Sequence, residues 1–180
     1  WVSPLFIPTM ISNMAAGNIA IKNHAEGPCL DIVTACATST NNIGEAFRAI
    51  RHGYADAIIT GGSESATIPL GIAGFANAKA LSKAENPKYA SLPFNANRAG
   101  FVMGEGAGVI VLEELEHAKA RGAHIYAEMV GYGNTCDAYH ATAPRPDGTT
   151  QAKCIEIALE EAGFNKDTDK LYINAHGTGT

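Results

Sequence analysis

Cys36 lies where a predicted strand gives way to a predicted helix. Residues 30–34 (LDIVT) are apolar and rich in β-branched side chains, which predicts a strand, and a helix is expected to begin near Ser39. A cysteine on such an elbow projects out of the sheet at a helix N-terminus. The unpaired N–H groups there favour the thiolate of a side chain that normally titrates at about 8.5, and the thiolate is the nucleophile. The alternative is a small, buried core cysteine.

His176 follows a second predicted strand, residues 171–175, and is followed by Gly177-Thr178-Gly179-Thr180. Ligands of open α/β sheets bind at the carboxyl ends of strands, so Cys36 and His176 are expected to converge on one cleft. A hydrogen-bonded structural histidine is the alternative. The Gly-Thr-Gly-Thr run lacks the lysine of a phosphate loop, and residues 104–108 (GEGAG) precede a strand, so neither stretch predicts a nucleotide site.

Strands that alternate with amphipathic helices predict an α/β fold. Strands are expected at residues 30–34, 57–60, 108–112, 125–130 and 171–175, and helices at residues 12–22, 39–52, 113–121 and 151–162. The helix after Cys36 has an apolar face, basic residues in its last turn and Gly53 as its stop signal. Residues 63–100, with Pro69, Pro87 and Pro93, are expected to be mainly loop.

Composition excludes several classes of protein. The 180 residues are 46% hydrophobic and 17% charged, which is globular, and the net charge of −5 provides no basic surface for nucleic acid or an anionic membrane. The aliphatic run at residues 109–112 is too short to span a bilayer. The four cysteines form no Cys-x-x-Cys pair, so we expect neither a metal site nor disulfides, and a reducing, cytosolic setting.

The first and last residues favour a longer parent protein. Trp1 occupies the first position, and the chain stops directly after an apolar run and the Gly-Thr-Gly-Thr stretch. We therefore interpret residues 1–180 as part of a larger protein, whose N-terminal region could carry a targeting peptide.

Several motifs resemble those of the β-ketoacyl-acyl-carrier-protein synthases. Residues 34–39 (TACATS) with 42–44 (NIG) are similar to the nucleophile motif of that family, and residues 174–180 (NAHGTGT) to its first histidine motif. Three intervening motifs follow in the family's order, at residues 69–75 (PLGIAGF), 98–101 (RAGF) and 137–140 (DAYH). The resemblance covers essentially the whole chain and favours the type II elongating synthases. It implies part of a thiolase-like α/β/α/β/α sandwich: the end of its N-terminal half and the start of its C-terminal half.

The resemblance implies a role for each matching residue. Cys36 would take the acyl group as a thioester, and its backbone N–H would be one oxyanion donor. His176 would assist decarboxylation of a malonyl-carrier donor. Thr142, Thr178 and Thr180 would meet the phosphopantetheine arm, and Gly71 and Phe75 would line the acyl pocket. A second histidine, a lysine and the other oxyanion donor would lie beyond Thr180, so the isolated chain is expected to be inactive.

The resemblance also implies partners. No cofactor is expected, because the substrates would arrive on the phosphopantetheine of an acyl-carrier protein. Residues 11–14 are similar to the segment that crosses the dimer interface, and residues 11–21 are apolar and rich in Gly and Ala, which favours a homodimer, although core packing is the alternative. A cation site near Asn174 is a property of the family only.

Four competing interpretations stay open at this point. A thiolase shares the fold but does not match the 174–180 motif. A ketosynthase of a polyketide pathway is another alternative, although modular polyketide domains usually carry an acidic residue where this chain has Asn174. A chain-length-factor-like partner would lack the nucleophile that Cys36 supplies. A purely structural α/β module would leave the pairing of an elbow cysteine with a strand-end histidine unexplained.

Overall fold

The computed structural model describes all residues 1–180 and contains six α-helices and a two-stranded sheet. The helices are α1 (Phe6–Met10), α2 (Met14–Asn23), α3 (Thr38–Arg51), α4 (Pro69–Asn77), α5 (Leu115–Ala120) and α6 (Thr149–Glu161). The strands β1 (Ala57–Glu64) and β2 (Gly106–Glu113) pair with each other. Short 3-10 turns span Ala35–Ala37 and Pro87–Tyr89.

Helix α3 ends as its sequence predicts. Gly53 adopts a positive φ of 75°, which glycine reaches without strain. The N–H of Gly53 donates to the Ile50 carbonyl, and the N–H of Tyr54 donates to the Ala49 carbonyl, each at 2.9 Å. These two bonds form a Schellman motif, which satisfies carbonyls that the helix end would otherwise leave unpaired.

Three of the predicted strands are wrong for this structure. Residues 30–34, 125–130 and 171–175 form no strand, whereas the strands predicted at 57–60 and 108–112 are present and somewhat longer. A strand needs a ladder of backbone bonds to a neighbour, and the three segments form none within the chain. The backbone N–H and C=O of Ile32 instead bond to the side chain of Asn42, at 3.2 and 3.1 Å.

Two helices were not predicted. Helix α4 lies inside the stretch expected to be loop. Pro69 is compatible with a helix here because it occupies the first turn, where a residue makes no intrahelical N–H bond. Helix α1 likewise carries Pro8 within its first turn, and the Thr9 hydroxyl donates to the carbonyls of Leu5 and Phe6.

The chain divides into two units. Unit 1 comprises residues 1–62 and 109–163, and unit 2 comprises residues 63–108 and 164–180. The buried apolar side chains, Ala46, Ala118 and Tyr132, all belong to unit 1. No helix combines the length and the apolar composition that crossing a membrane requires.

Candidate active site

Cys36 is exposed on a short turn that leads into α3. The 3-10 turn Ala35–Ala37 carries it, and the helix continues from Thr38. Ala35 has a φ of 51°, which is uncommon for a residue with a Cβ and marks the sharp change in chain direction. The Cys36 N–H makes no backbone hydrogen bond and is free to serve as a donor. We refer to residues 34–38 as the thiol turn. The buried-cysteine alternative is wrong for this chain.

Side chains of α3 hold the thiol turn and the segment before it. The Thr34 N–H donates to the Thr38 hydroxyl at 2.9 Å, and the Asn42 amide bonds both backbone groups of Ile32. These contacts replace the ladder bonds of the predicted strand. They also explain the Asn in the 42–44 part of the nucleophile motif, because an amide can donate and accept at the same time.

Two glycines are required because other residues come very close to them. A Cβ at Gly44 of α3 would overlap the ring of Tyr132, and a Cβ at Gly62 of β1 would overlap the Ser39 hydroxyl. The absence of side chains at these two positions lets β1 and the segment around Tyr132 pack against α3, which begins at the thiol turn.

His176 lies on a glycine-rich loop of unit 2, residues 176–180, which we call the histidine loop. His176 is exposed, and Gly177 and Gly179 have φ values of 51° and 84°. The hydroxyls of Thr178 and Thr180 lie 2.6 Å apart. The loop lines an open cleft of about 360 Å³ together with Phe94 and Arg98. The cleft therefore presents a histidine and two hydroxyls on one surface.

The 98–101 motif holds the histidine loop. The N–H of Gly100 donates to the Gly179 carbonyl at 3.0 Å, and Nε of Arg98 donates to the Thr180 carbonyl at 3.2 Å. Gly100 is buried with a φ of 122°, and a Cβ there would crowd the backbone of residues 80–82. The sequence alone gave this motif no role. In the structure, Arg98 and Gly100 of the motif hold the loop that carries His176.

Gly71 and Phe75 lie one turn apart on α4, also in unit 2. A Cβ at Gly71 would overlap the Ala66 carbonyl, so only glycine fits there. The Phe75 ring packs edge-on against Phe101, with the centroids 5.2 Å apart. Since Phe101 follows Gly100, the aromatic residue predicted to line the acyl pocket touches the segment that holds the histidine loop.

Thr142 lies on an exposed loop of unit 1. The N–H groups of Thr142 and Ala143 donate to Nδ1 of His140, at 3.1 and 3.0 Å. The Asp137 carboxylate accepts from the Arg145 N–H and the Gln151 side chain, each at 2.9 Å. The 137–140 motif thus orders the loop that presents Thr142. No hydrogen bond joins this loop to the thiol turn.

The strongest pKa shifts belong to carboxylates outside these loops. Hydrogen bonds from Arg121 and His117 and their charges lower the pKa of Glu113 to about 2. Bonds from Thr149 and Arg145 lower the pKa of Asp147 to about 2. In unit 2, bonds from Thr67 and Ser65 lower the pKa of Glu105. All three carboxylates are therefore ionised at neutral pH and act as fixed acceptors.

The structure places the predicted site residues in both units. Cys36 and Thr142 belong to unit 1, while unit 2 brings together His176, Thr178 and Thr180. The convergence of Cys36 with His176 stays a prediction. The sequence missed the anchoring roles of Asn41 and Tyr132, which lie 91 positions apart, and it quoted His140 only as part of the 137–140 motif.

Comparison with protein families identifies the relatives of the chain. Residues 1–118 match the family model of the beta-ketoacyl synthase N-terminal domain, and residues 126–180 match that of the C-terminal domain. The 3-oxoacyl-[acyl-carrier-protein] synthase 2 of Synechocystis sp. is 56% identical over 99% of this chain, and that of Staphylococcus aureus is 52% identical. The chain spans 43% and 44% of the length of these two relatives.

Solved structures agree with this result. A type II polyketide synthase acyl-carrier protein in complex with its ketosynthase bound to the hexaketide, AntDE:AntF, matches with a TM-score of 0.94 and 40% identity. A beta-ketoacyl synthase from Burkholderia phymatum STM815 matches with a TM-score of 0.91 and 37% identity. Each match covers 99% of this chain and 44% or 43% of the solved chain. The predicted partial thiolase-like α/β fold is confirmed, and the chain belongs to the β-ketoacyl synthase family.

Proposed function

We propose that the full-length protein carrying this chain is a β-ketoacyl-[acyl-carrier-protein] synthase of fatty acid biosynthesis. The observation that carries the proposal is the exposed Cys36 thiol on a turn at the start of α3, in a chain 56% identical to a 3-oxoacyl-[acyl-carrier-protein] synthase 2. An exposed thiol in this position is accessible to the thioester carbonyl that it would attack.

The reaction proceeds in two transfers. The Cys36 thiolate attacks the thioester carbonyl of an acyl-carrier protein, the bond to the phosphopantetheine sulfur breaks, and the acyl group becomes a Cys36 thioester. The malonyl donor then loses carbon dioxide, and the electron pair of the broken C–C bond forms a carbanion. That carbanion attacks the Cys36 thioester carbonyl, forms the new C–C bond and releases the Cys36 thiolate. The free Cys36 N–H is available to stabilise the oxyanion of each attack.

His176 and its loop would bind the donor. The His176 ring would stabilise the negative charge that develops as the malonyl group loses carbon dioxide. The hydroxyls of Thr178 and Thr180, two residues that line the cleft, would bind the phosphopantetheine arm, and Thr142 would contact the same arm. Because the donor carries its own phosphopantetheine, these residues require no separate cofactor.

Gly71 and Phe75 would line the acyl pocket. Both lie on α4, and Phe75 is 43% exposed, so its ring is available to a ligand. The missing side chain at Gly71 lets the helix lie against the Ala66 carbonyl, which fixes the position of the Phe75 ring one turn later.

The proposed partners are an acyl-carrier protein and a second copy of the chain. One structural relative is a ketosynthase in complex with an acyl-carrier protein. Apolar residues of α1 and α2 are exposed, among them Phe6, Ile7, Met10 and Ile21, and a two-fold dimer would bury such a patch against itself. An acyl-carrier-dependent enzyme of this type would act in the cytoplasm.

A polyketide ketosynthase is the second candidate. The observation that favours it is the TM-score of 0.94 with a polyketide ketosynthase bound to a hexaketide. The two candidates share the chemistry of Cys36 and His176 and differ in the acyl group that they accept. Transfer of a saturated acyl chain to Cys36 would support the first candidate, and transfer of a poly-β-keto chain would support the second.

The function is tested in the full-length protein with acyl- and malonyl-carrier proteins. Mass spectrometry should find the acyl adduct on Cys36, and Cys36→Ala should abolish acylation. His176→Ala should still acquire the adduct but lose malonyl decarboxylation, which is measured as release of carbon dioxide. An adduct on Cys29, Cys136 or Cys154 would contradict the assignment of the nucleophile, and normal decarboxylation by His176→Ala would contradict the role of the histidine.

A further inference from the structure

Tyr132 is buried against α3 in a position that its neighbours define closely. The side chain is 4% exposed, and its ring occupies the space that the missing side chain of Gly44 leaves open. The Arg48 guanidinium lies 4.7 Å from the ring centroid, and the Tyr132 N–H donates to the Glu161 carboxylate at 2.8 Å. Ring and backbone are therefore both fixed, so the direction of the phenol is fixed as well.

The phenol of Tyr132 begins a chain of hydrogen bonds that ends beside Cys36. Its hydroxyl donates to Oδ1 of Asn41 at 2.9 Å, and Nδ2 of Asn41 donates to the Thr34 hydroxyl at 2.8 Å. Asn41 is itself buried. Burial, with the charge of Glu45 adding to it, raises the pKa of Tyr132, so the phenol stays protonated and continues to donate at neutral pH.

Thr34 is held at every polar group. In addition to the bond from Asn41, its N–H donates to the Thr38 hydroxyl at 2.9 Å, and its carbonyl accepts from the Ala37 N–H at 3.1 Å. The last two bonds lie within the thiol turn and are local. The bond from Asn41 is the one that ties the turn to the buried interior of unit 1.

We propose that Tyr132 and Asn41 are positioning residues for Cys36, holding the thiol turn through Thr34 so that the thiol stays at the N-terminus of α3. The inference rests on the proposed function, in which Cys36 is the nucleophile, and it deepens that function by assigning residues that set the reactivity of the thiol. Neither residue touches the thiol itself. Loss of these hydrogen bonds would let the turn loosen, so the thiol would no longer be held in one position for attack.

The alternative role is stability alone, and Cys36 reactivity distinguishes the two roles. Three variants of the full-length protein interrupt the hydrogen-bond chain from Tyr132 through Asn41 to Thr34. Tyr132→Phe removes the phenol oxygen, Asn41→Ala removes the amide in the middle, and Thr34→Val removes the hydroxyl at the end. A matched control is Thr135→Val, because the Thr135 hydroxyl donates one bond of 3.0 Å to the Thr150 carbonyl in the same unit and has no link to the thiol turn. Alkylation of Cys36 by iodoacetamide is followed by mass spectrometry at neutral pH.

We expect Tyr132→Phe to slow alkylation of Cys36 at neutral pH by about fivefold, the effect typical of one lost hydrogen bond. Asn41→Ala and Thr34→Val should do the same, Tyr132→Phe combined with Asn41→Ala should be no slower than Asn41→Ala, and Thr135→Val should match the unmodified protein. With an acyl-carrier thioester, kcat of acylation should fall while KM is retained.

The inference is overturned if Tyr132→Phe and Thr135→Val alkylate at the same rate, or if the effects of Tyr132→Phe and Asn41→Ala multiply. Should Asn41→Ala fail to fold, Tyr132→Phe and Thr34→Val decide alone, since each leaves the shape of its side chain nearly unchanged. Failure of the proposed function would look different. The unmodified protein would then not accept an acyl group on Cys36, while the iodoacetamide comparison would still report on the hydrogen-bond chain.

Discussion

The thiol turn and the histidine loop, which carry the two proposed catalytic residues, are held by different kinds of contact. Side chains of α3 hold the thiol turn through Thr38 and Asn41, Asn42 holds Ile32 just before the turn, and a buried tyrosine supports Asn41. The histidine loop is held at its backbone, by Gly100 and Arg98, with two of its glycines at positive φ. The turn that carries the proposed nucleophile is thus held by side-chain hydrogen bonds, and the loop that carries the proposed charge-stabilising histidine is held at its backbone.

The difference indicates where each loop is vulnerable. A loop that side chains hold, such as the thiol turn, depends on a few nearby residues whose side chains can be removed one at a time. A loop that the backbone holds depends on whether its residues can adopt the required φ angles, and only glycine does so without strain. Substitutions in the two regions should therefore fail by different mechanisms and by different amounts.

The largest loss of stability is expected from Gly44→Ala, which would displace the Tyr132 ring that supports the thiol turn. The added Cβ would overlap the Tyr132 ring, and displacing the ring would also break the bond from its hydroxyl to Asn41. Overpacking of this kind should lower the free energy of unfolding by about 2 kcal/mol, after the roughly 1 kcal/mol that alanine gains in helix propensity. Denaturant unfolding of the full-length protein measures it.

Gly27→Ala is the control for this substitution, because nothing lies within 4 Å of a Cβ at Gly27 and its φ is not positive. Its free energy of unfolding should stay within about 0.5 kcal/mol of the unmodified protein. Equal stability of Gly44→Ala and Gly27→Ala would show that the ring position does not support the thiol turn.

A smaller effect is expected from Gly179→Ala in the histidine loop. The φ of 84° costs a residue with a Cβ about 1–2 kcal/mol, and the Cβ would lie 2.9 Å from the Gly100 carbonyl. We expect a loss of about 1 kcal/mol in stability, because the loop can partly relax, together with slower malonyl decarboxylation. Gly104→Ala, at an open position, is the control. Unchanged decarboxylation by Gly179→Ala would argue against backbone conformation as the determinant of this loop.

The smallest effect is a pH dependence that distinguishes charged side-chain anchors from backbone anchors. Asp147 accepts from the N–H and hydroxyl of Thr149 at the start of α6, which lowers its pKa from 3.8 to about 2. A lowered pKa stabilises the folded state above the unfolded-state value, and that stability is lost as the pH falls toward 2. Asp147→Asn keeps an acceptor but cannot titrate.

The thermal midpoint of the unmodified protein should therefore exceed that of Asp147→Asn at pH values above about 4, and the difference should shrink as the pH falls from about 4 to about 2. The bond between Gly100 and Gly179 involves only backbone groups, which do not titrate, so Gly179→Ala should show no such change in its difference from the unmodified protein. A constant difference for Asp147→Asn across the acid range would contradict the assignment of the lowered pKa to folding.

Part of the candidate site could be predicted from the sequence because it depends on local rules. The position of Cys36 before a helix follows from an apolar repeat within α3, and the end of that helix follows from Gly53. The strand at 30–34 was predicted wrongly because strand propensity does not guarantee a pairing partner, and this segment bonds to Asn42 instead. Helix α4 was missed because proline, which Pro69 supplies, is common both in loops and in the first turn of a helix.

The sequence by itself determined the residue types and spacings of the thiol turn and the histidine loop, since capping, helical periodicity and the conformational freedom of glycine act over a few neighbouring residues. Only the tertiary structure decided what holds those loops in place. The bond from Tyr132 to Asn41 joins residues 91 positions apart, and Gly100 meets Gly179 across a similarly long stretch of chain. Such contacts depend on packing between distant segments, which no local pattern encodes.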